Sequence, residues 1–120
     1  MTDTLYHELI LDLCRHPLNK GVLKTFDKKF EMRNALCSDS VCIYLKTDGK
    51  IITDISWDGE GCALSVASTA LLTDLLRNKP IETLDSLNQN KVLDLLHLKD
   101  LNPSRLRCAL LPLEALKQTK

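Results

Sequence analysis

At Gly61 the hydrophobic pattern of this chain changes period, and that change limits the folds open to it. Upstream, Val41, Ile43 and Leu45 alternate with Cys42, Tyr44 and Lys46, while Phe26, Phe30 and Met32 alternate with charged residues. Period two is the signature of strands with one buried face. Asp48-Gly49 is a two-residue turn signal, and Ile51, Ile55 and Trp57 carry the alternation into a third strand. Downstream, from Cys62 to Asn78, Leu64, Ala67, Leu71 and Leu75 recur at helical spacing, with Asn78 and Pro80 as stop signals. An α+β fold follows: a three-stranded antiparallel sheet packed against several helices, with the helix after Cys62 central to the core.

The flanks supply the other helices. Leu5, Leu9, Ile10 and Leu13 share one side of a segment running from Thr4 to Arg15, which Pro17 ends. The stretch from Ile81 to Leu98 reads as one or two shorter helices separated near Asn88-Gln89-Asn90, and its leucines from Leu93 to Leu98 read as core. Asn102-Pro103 is a cap and first-turn pair for a last helix toward Lys117, which Pro112 either restarts or kinks just after Cys108. Small residues dominate Ala63-Leu64-Ser65-Val66-Ala67-Ser68, so another backbone can approach that turn closely.

A chain of 120 residues with 44% hydrophobic content can bury one core, so residues 1–120 are read as a single domain. Its 16 basic and 16 acidic residues cancel, which leaves no electrostatic footprint for nucleic acid or an anionic membrane and directs attention to proteins and ions as partners. The polar start Met1-Thr2-Asp3-Thr4 lacks a basic segment followed by an apolar run, and no apolar stretch approaches bilayer length; a cytoplasmic location is expected. Five cysteines, an odd number, point to reduced thiols used for chemistry or packing rather than to a disulfide framework.

Three of those cysteines sit in contexts suited to a reactive or metal-bound thiolate. Cys37 precedes Asp39 by two residues, so sulfur and oxygen can meet one ion from a single turn in the connection between the first two strands. Cys62 closes Gly59-Glu60-Gly61-Cys62 at a helix N-terminus, whose partial positive charge favours a thiolate. Cys108 follows Arg107, a cation expected to act in the same sense. With Asp39 they form a candidate four-ligand set: three thiolates and one carboxylate suit zinc, and the same groups suit iron. A cluster held by three thiolates and an oxygen should be more labile than one in a four-cysteine cage. Against this stand packing roles for the cysteines and a turn or capping role for Asp39. Cys14 and Cys42 read as packing residues, His7, His16 and His97 as surface or capping residues, and Trp57 as a core or edge-packing residue.

Nearly the whole chain resembles the iron–sulfur cluster assembly proteins of the IscU and SufU type, represented also by the N-terminal part of NifU. The resemblance is carried by His16-Pro17-Leu18-Asn19-Lys20-Gly21, Cys37-x-Asp39, the Asp-Gly hairpin, Gly59-x-Gly61-Cys62 with Ser65-x-Ala67-Ser68, and Cys108. Ala35 and Ser38 stand where the family has proline and glycine. Leu101-Asn102-Pro103-Ser104-Arg105 occupies the place of the IscU chaperone-recognition motif, whereas Arg107-Cys108-Ala109 is nearer to the SufU pattern. The resemblance implies a non-enzymatic scaffold that assembles an iron–sulfur cluster, of the 2Fe–2S type, on Cys37, Asp39, Cys62 and Cys108 and passes it to recipient apo-proteins, with a chaperone as a further partner. A zinc-containing sulfur acceptor serving a cysteine desulfurase, with Cys37 as the persulfide acceptor, is the alternative. A degenerate domain keeping zinc only for stability is the third.

Overall fold

The computed structural model describes residues 2–34, 39–98 and 101–117. In chain order the elements are α1 (Thr2–Arg15), β1 (Lys28–Asn34), β2 (Asp39–Thr47), β3 (Ile52–Glu60), α2 (Ala63–Leu76), α3 (Thr83–Ser86), α4 (Gln89–Leu96) and α5 (Pro103–Lys117). The strands form one antiparallel sheet in the order β1-β2-β3, so the α+β architecture read from the change of period is the one observed. Cys37 and the side chains of Leu5 and His7 lie outside the described residues.

Alternation along β2 works as expected: Val41, Ile43 and Leu45 turn into the core, and Cys42 and Tyr44 face outward. In β3 the core positions are Ile52, Ile55 and Trp57, not Ile51. The turn explains the shift. Asp48 Oδ1 accepts from the N–H groups of Lys50 and Ile51, both at 2.8 Å, which widens the loop beyond two residues, and the register slips between Lys46 and Thr47. Ile51 instead bridges to Pro80. Phe26 also departs from its expected place. It precedes β1, is exposed, and packs its ring tilted by 56° against Tyr44, centroids 5.2 Å apart, on the outer face of the sheet.

Helix α2 lies among α1, α4, α5 and β3, so burial extends beyond the face marked by Leu64 and Ala67 to Ser65, Ser68, Thr69, Ala70, Leu72, Thr73 and Leu76. Leu72 and Leu76 are fully buried and contribute roughly 1.5–3 kcal/mol each. The hydroxyls inside this helix stay satisfied: Thr69 donates to the Ser65 carbonyl at 2.7 Å and Thr73 to the Thr69 carbonyl at 2.8 Å. Two short helices, α3 and α4, divide at Leu87-Asn88, where the Asn88 side chain caps α4 by accepting from Lys91 N–H at 2.9 Å. His97 closes α4 in a left-handed conformation, and Leu93 and Leu96 are buried as expected. Pro112 does not divide the last segment, since α5 runs unbroken from Pro103 to Lys117.

The loop after α1 lies along the free side of β3. Gly21 N–H donates to the Trp57 carbonyl at 2.7 Å, Trp57 N–H donates to the Asn19 carbonyl at 3.0 Å, and the buried Trp57 ring donates from Nε1 to the Leu18 carbonyl at 2.8 Å. Trp57 is thus both core and edge residue. Among the described residues no helix is long and apolar enough to cross a membrane.

Candidate metal and cluster site

Three segments distant in sequence meet at one end of the sheet. Asp39 opens β2, paired with Asn34; it belongs to the strand itself, and its side chain is only 4% exposed. Cys62 is the N-cap residue of α2, with extended backbone and no capping bond from its side chain to the helix backbone, and the residue is exposed. Cys108 lies in the second turn of α5, not at its start, and is buried. One carboxylate oxygen of Asp39 and the sulfurs of Cys62 and Cys108 all lie within 4.8 Å of one another. Cys37, the remaining member of the expected set, lies outside the described residues.

Glycines allow this approach. At Gly59, φ is +150°, and a Cβ would stand 2.3 Å from the Ser40 carbonyl oxygen. At Gly61 a Cβ would meet Ser65 Cβ at 2.9 Å and Asp39 Cγ at 3.1 Å. The Gly-x-Gly preceding Cys62 therefore brings β3 down onto the start of β2 and leaves room for the carboxylate beside α2.

The residue at the centre of the site is Ser65, which the sequence marked as a small side chain and as part of the Ser65-x-Ala67-Ser68 motif but not as a site residue. Its hydroxyl is 2.7 Å from Asp39 Oδ2, 3.2 Å from the Cys108 carbonyl oxygen and 3.8 Å from the Cys62 sulfur. One turn on, Ser68 donates to the Ala109 carbonyl at 2.5 Å. Small residues on α2 thus do more than permit close packing, because the Ser68 hydroxyl bonds α2 to α5 and the Ser65 hydroxyl reaches Asp39 at the start of β2. Cys14 is also nearer the site than a packing role required: half-buried on α1, its thiol is 3.7 Å from the Ala63 carbonyl.

Electrostatics correct one expectation. Arg107 is exposed and does not make Cys108 acidic. Burial pushes the Cys108 thiol far above the ordinary thiol range, and the neighbouring Cys62 and Asp39 side chains push it in the same direction. Without an ion the sulfur therefore holds its proton, and a metal has to displace it. Burial, with a smaller contribution from Cys62, likewise raises the Cys14 thiol.

The donor set fits a thiophilic ion. Tetrahedral zinc with sulfur at about 2.3 Å places its ligands roughly 3.8 Å apart, close to the spacing available here. A cavity of about 340 Å³ lined by Cys62, Ala63, Leu64, Ser104, Arg105 and Cys108 adjoins the two sulfurs and provides access from solvent.

Comparison with known proteins agrees with this geometry. The family model of the NifU-like N-terminal domain matches residues 5–119. The chain is 34% identical to the zinc-dependent sulfurtransferase SufU of Bacillus subtilis, with 97% of this chain and 89% of that protein aligned. It is 28% identical to the iron–sulfur cluster assembly scaffold protein IscU of Aquifex aeolicus, over 92% of this chain and 71% of that one. Among solved structures it is similar to an iron–sulfur cluster assembly scaffold protein for the SUF system from Fervidobacterium islandicum. The TM-score is 0.76 at 27% identity, covering 92% of each chain.

Proposed function

The chain belongs to the NifU-like N-terminal domain family, and from that premise we propose that it is a single-domain scaffold for iron–sulfur cluster assembly. It takes iron and sulfide on Cys37, Asp39, Cys62 and Cys108 and passes the cluster to recipient apo-proteins. The observation that carries this reading is the convergence of Asp39, Cys62 and Cys108 within 4.8 Å from three separate elements. A packing role for these residues would not bring a buried carboxylate against two thiols. The mixed oxygen and sulfur donor set suits cargo that must leave, because the carboxylate is the weaker ligand for a cluster. A 2Fe–2S cluster is the assigned cargo, and the cytoplasm the assigned location.

Sulfur reaches such a site from a cysteine desulfurase. In the proposed step the Cys37 thiolate attacks the outer sulfur of the desulfurase persulfide. The sulfur–sulfur bond breaks, the desulfurase cysteine leaves as its thiolate, and Cys37 retains the transferred sulfur as a persulfide. Leu101-Asn102-Pro103-Ser104-Arg105 is assigned as the contact for a chaperone.

A second reading, a zinc-holding sulfur acceptor for the desulfurase, is favoured by the spacing itself. Three donors within 4.8 Å of one another also suit a single tetrahedral ion. Metal analysis of anaerobically purified protein, with desulfurase turnover measured with and without the chain, separates the two. Iron with acid-labile sulfide supports the scaffold. One zinc with stimulated turnover that Cys37→Ser abolishes supports the acceptor. Zinc with unchanged turnover leaves a structural zinc domain.

A further inference from the structure

Resting on the reading of Asp39, Cys62 and Cys108 as metal ligands, we infer that Ser65 is a positioning residue that fixes Asp39 as a one-oxygen ligand through the bond from its hydroxyl to Oδ2. The Ser65 side chain is buried, and its Oγ lies within hydrogen-bonding distance of all three ligand-bearing residues: 2.7 Å from Asp39 Oδ2, 3.2 Å from the Cys108 carbonyl and 3.8 Å from the Cys62 sulfur. A hydroxyl has one proton to give. Two acceptors compete for it, because Pro112 has no N–H to return to the carbonyl of Cys108 four residues earlier. The carboxylate wins: its oxygen is 0.5 Å closer than the carbonyl and within the ordinary range for a hydroxyl donor. Oδ2 is thereby occupied, the carboxylate plane is fixed, and the other oxygen is left for the metal.

Gly61 makes this arrangement specific to the site. A Cβ there would stand 2.9 Å from Ser65 Cβ and 3.1 Å from Asp39 Cγ, so the serine and the aspartate meet across a gap that only glycine leaves. Ser68 provides an internal comparison. It is also a buried serine of α2, one turn on, but it spends its proton on the Ala109 carbonyl of α5 at 2.5 Å, and the described hydrogen bonds give it no contact with a ligand side chain.

Cobalt(II) is the probe, its affinity measured by chelator competition and its ligand set by visible d–d absorption. Ser65→Ala is expected to weaken cobalt binding about 10-fold, at the low end of the range for losing a partner of a metal ligand, and to move the spectrum toward that of Asp39→Ala. In an Asp39→Ala background the same change should alter affinity by no more than about twofold, since the group it acts through is gone. Ser68→Ala should lower thermal stability while leaving affinity and spectrum as in the parent. An equal effect of Ser65→Ala with and without Asp39, an equal effect of Ser68→Ala, or no effect of Ser65→Ala in a folded protein would each overturn the inference. A parent chain that takes up no cobalt would overturn the reading of the site itself, and the inference with it.

Discussion

The two ends of helix α2 are built on opposite principles. At its C-terminal end Arg77 donates to Asp54 at 2.8 Å, to Asn19 Oδ1 at 2.6 Å and to the Ile55 carbonyl at 2.8 Å, while Asn19 donates to Thr73 at 3.2 Å. Asn78 N–H bonds the Ile52 carbonyl at 2.9 Å, and Ile52 N–H bonds the Lys79 carbonyl at 2.8 Å. Donor and acceptor are matched there, and the loop, strand and helix are tied together. At the N-terminal end Cys62 gives the helix no side-chain cap, the first turn has no acidic residue, and a buried thiol sits beside a buried carboxylate. Such an end has groups to offer a ligand from outside the chain. One helix therefore separates the two tasks, with the fully bonded end about four turns, over 14 residues, from the end where the candidate ligands lie.

If this division holds, substitutions at one end should leave the property of the other untouched. The largest effect is expected from Cys62→Ser and Cys108→Ser, which should lower zinc affinity by about two orders of magnitude or more, because a hydroxyl does not ionise near neutral pH as a metal-bound thiol does. Metal content by mass spectrometry under native conditions checks this, and melting of the metal-free proteins should stay near that of the parent. Arg77→Leu is the converse test. It should cost about 1–2 kcal/mol in urea unfolding, the upper value limited by the partial exposure of Arg77 and Asp54, with zinc content unchanged. Loss of zinc in this variant would break the comparison.

Acidity probes the N-terminal end alone. The Cys108 thiol is raised by burial, so it is protonated in the metal-free protein throughout the neutral range and binding must release that proton. Zinc affinity should therefore fall as pH falls, about tenfold per pH unit for each proton displaced. Chelator competition at several pH values gives the slope, and a flat profile would exclude Cys108 as a ligand. The smallest effect is expected at Cys42, half-buried on the outer face of the sheet. Cys42→Ala should change unfolding free energy by less than about 1 kcal/mol and leave metal content intact.

Much of this division was legible in the sequence where information is local. The period change at Gly61 located α2, the alternation of Val41, Ile43 and Leu45 gave the buried face of β2, and Asn102-Pro103 marked the start of α5. Local signals failed where two segments decide together. Asp48 accepts two backbone N–H groups and so moves Ile52, instead of Ile51, into the core. Pro112 stays within α5, although its missing N–H leaves the Cys108 carbonyl without its helical donor and facing the Ser65 hydroxyl of another helix at 3.2 Å. Arg107 adjoins Cys108 in sequence yet points to solvent, while the groups that govern the thiol come from Cys62 and Asp39. Ser65 was readable as a small residue but not as the partner of Asp39, because 26 positions separate them and no spacing rule connects a strand start to a helix turn.

The loop from Leu18 to Gly21 also bears on how the molecule behaves at high concentration. An exposed strand edge is a template for pairing with a second copy, and β3 would offer one along the side away from β2. Asn19 and Gly21 occupy the Trp57 backbone groups on that side, and the indole anchors the loop by donating to Leu18. The opposite margin, β1, carries exposed Lys28, Lys29, Glu31 and Arg33, charges that oppose edge-to-edge growth. The sheet is thus guarded on one margin by its own chain and on the other by charge, a form of protection against aggregation.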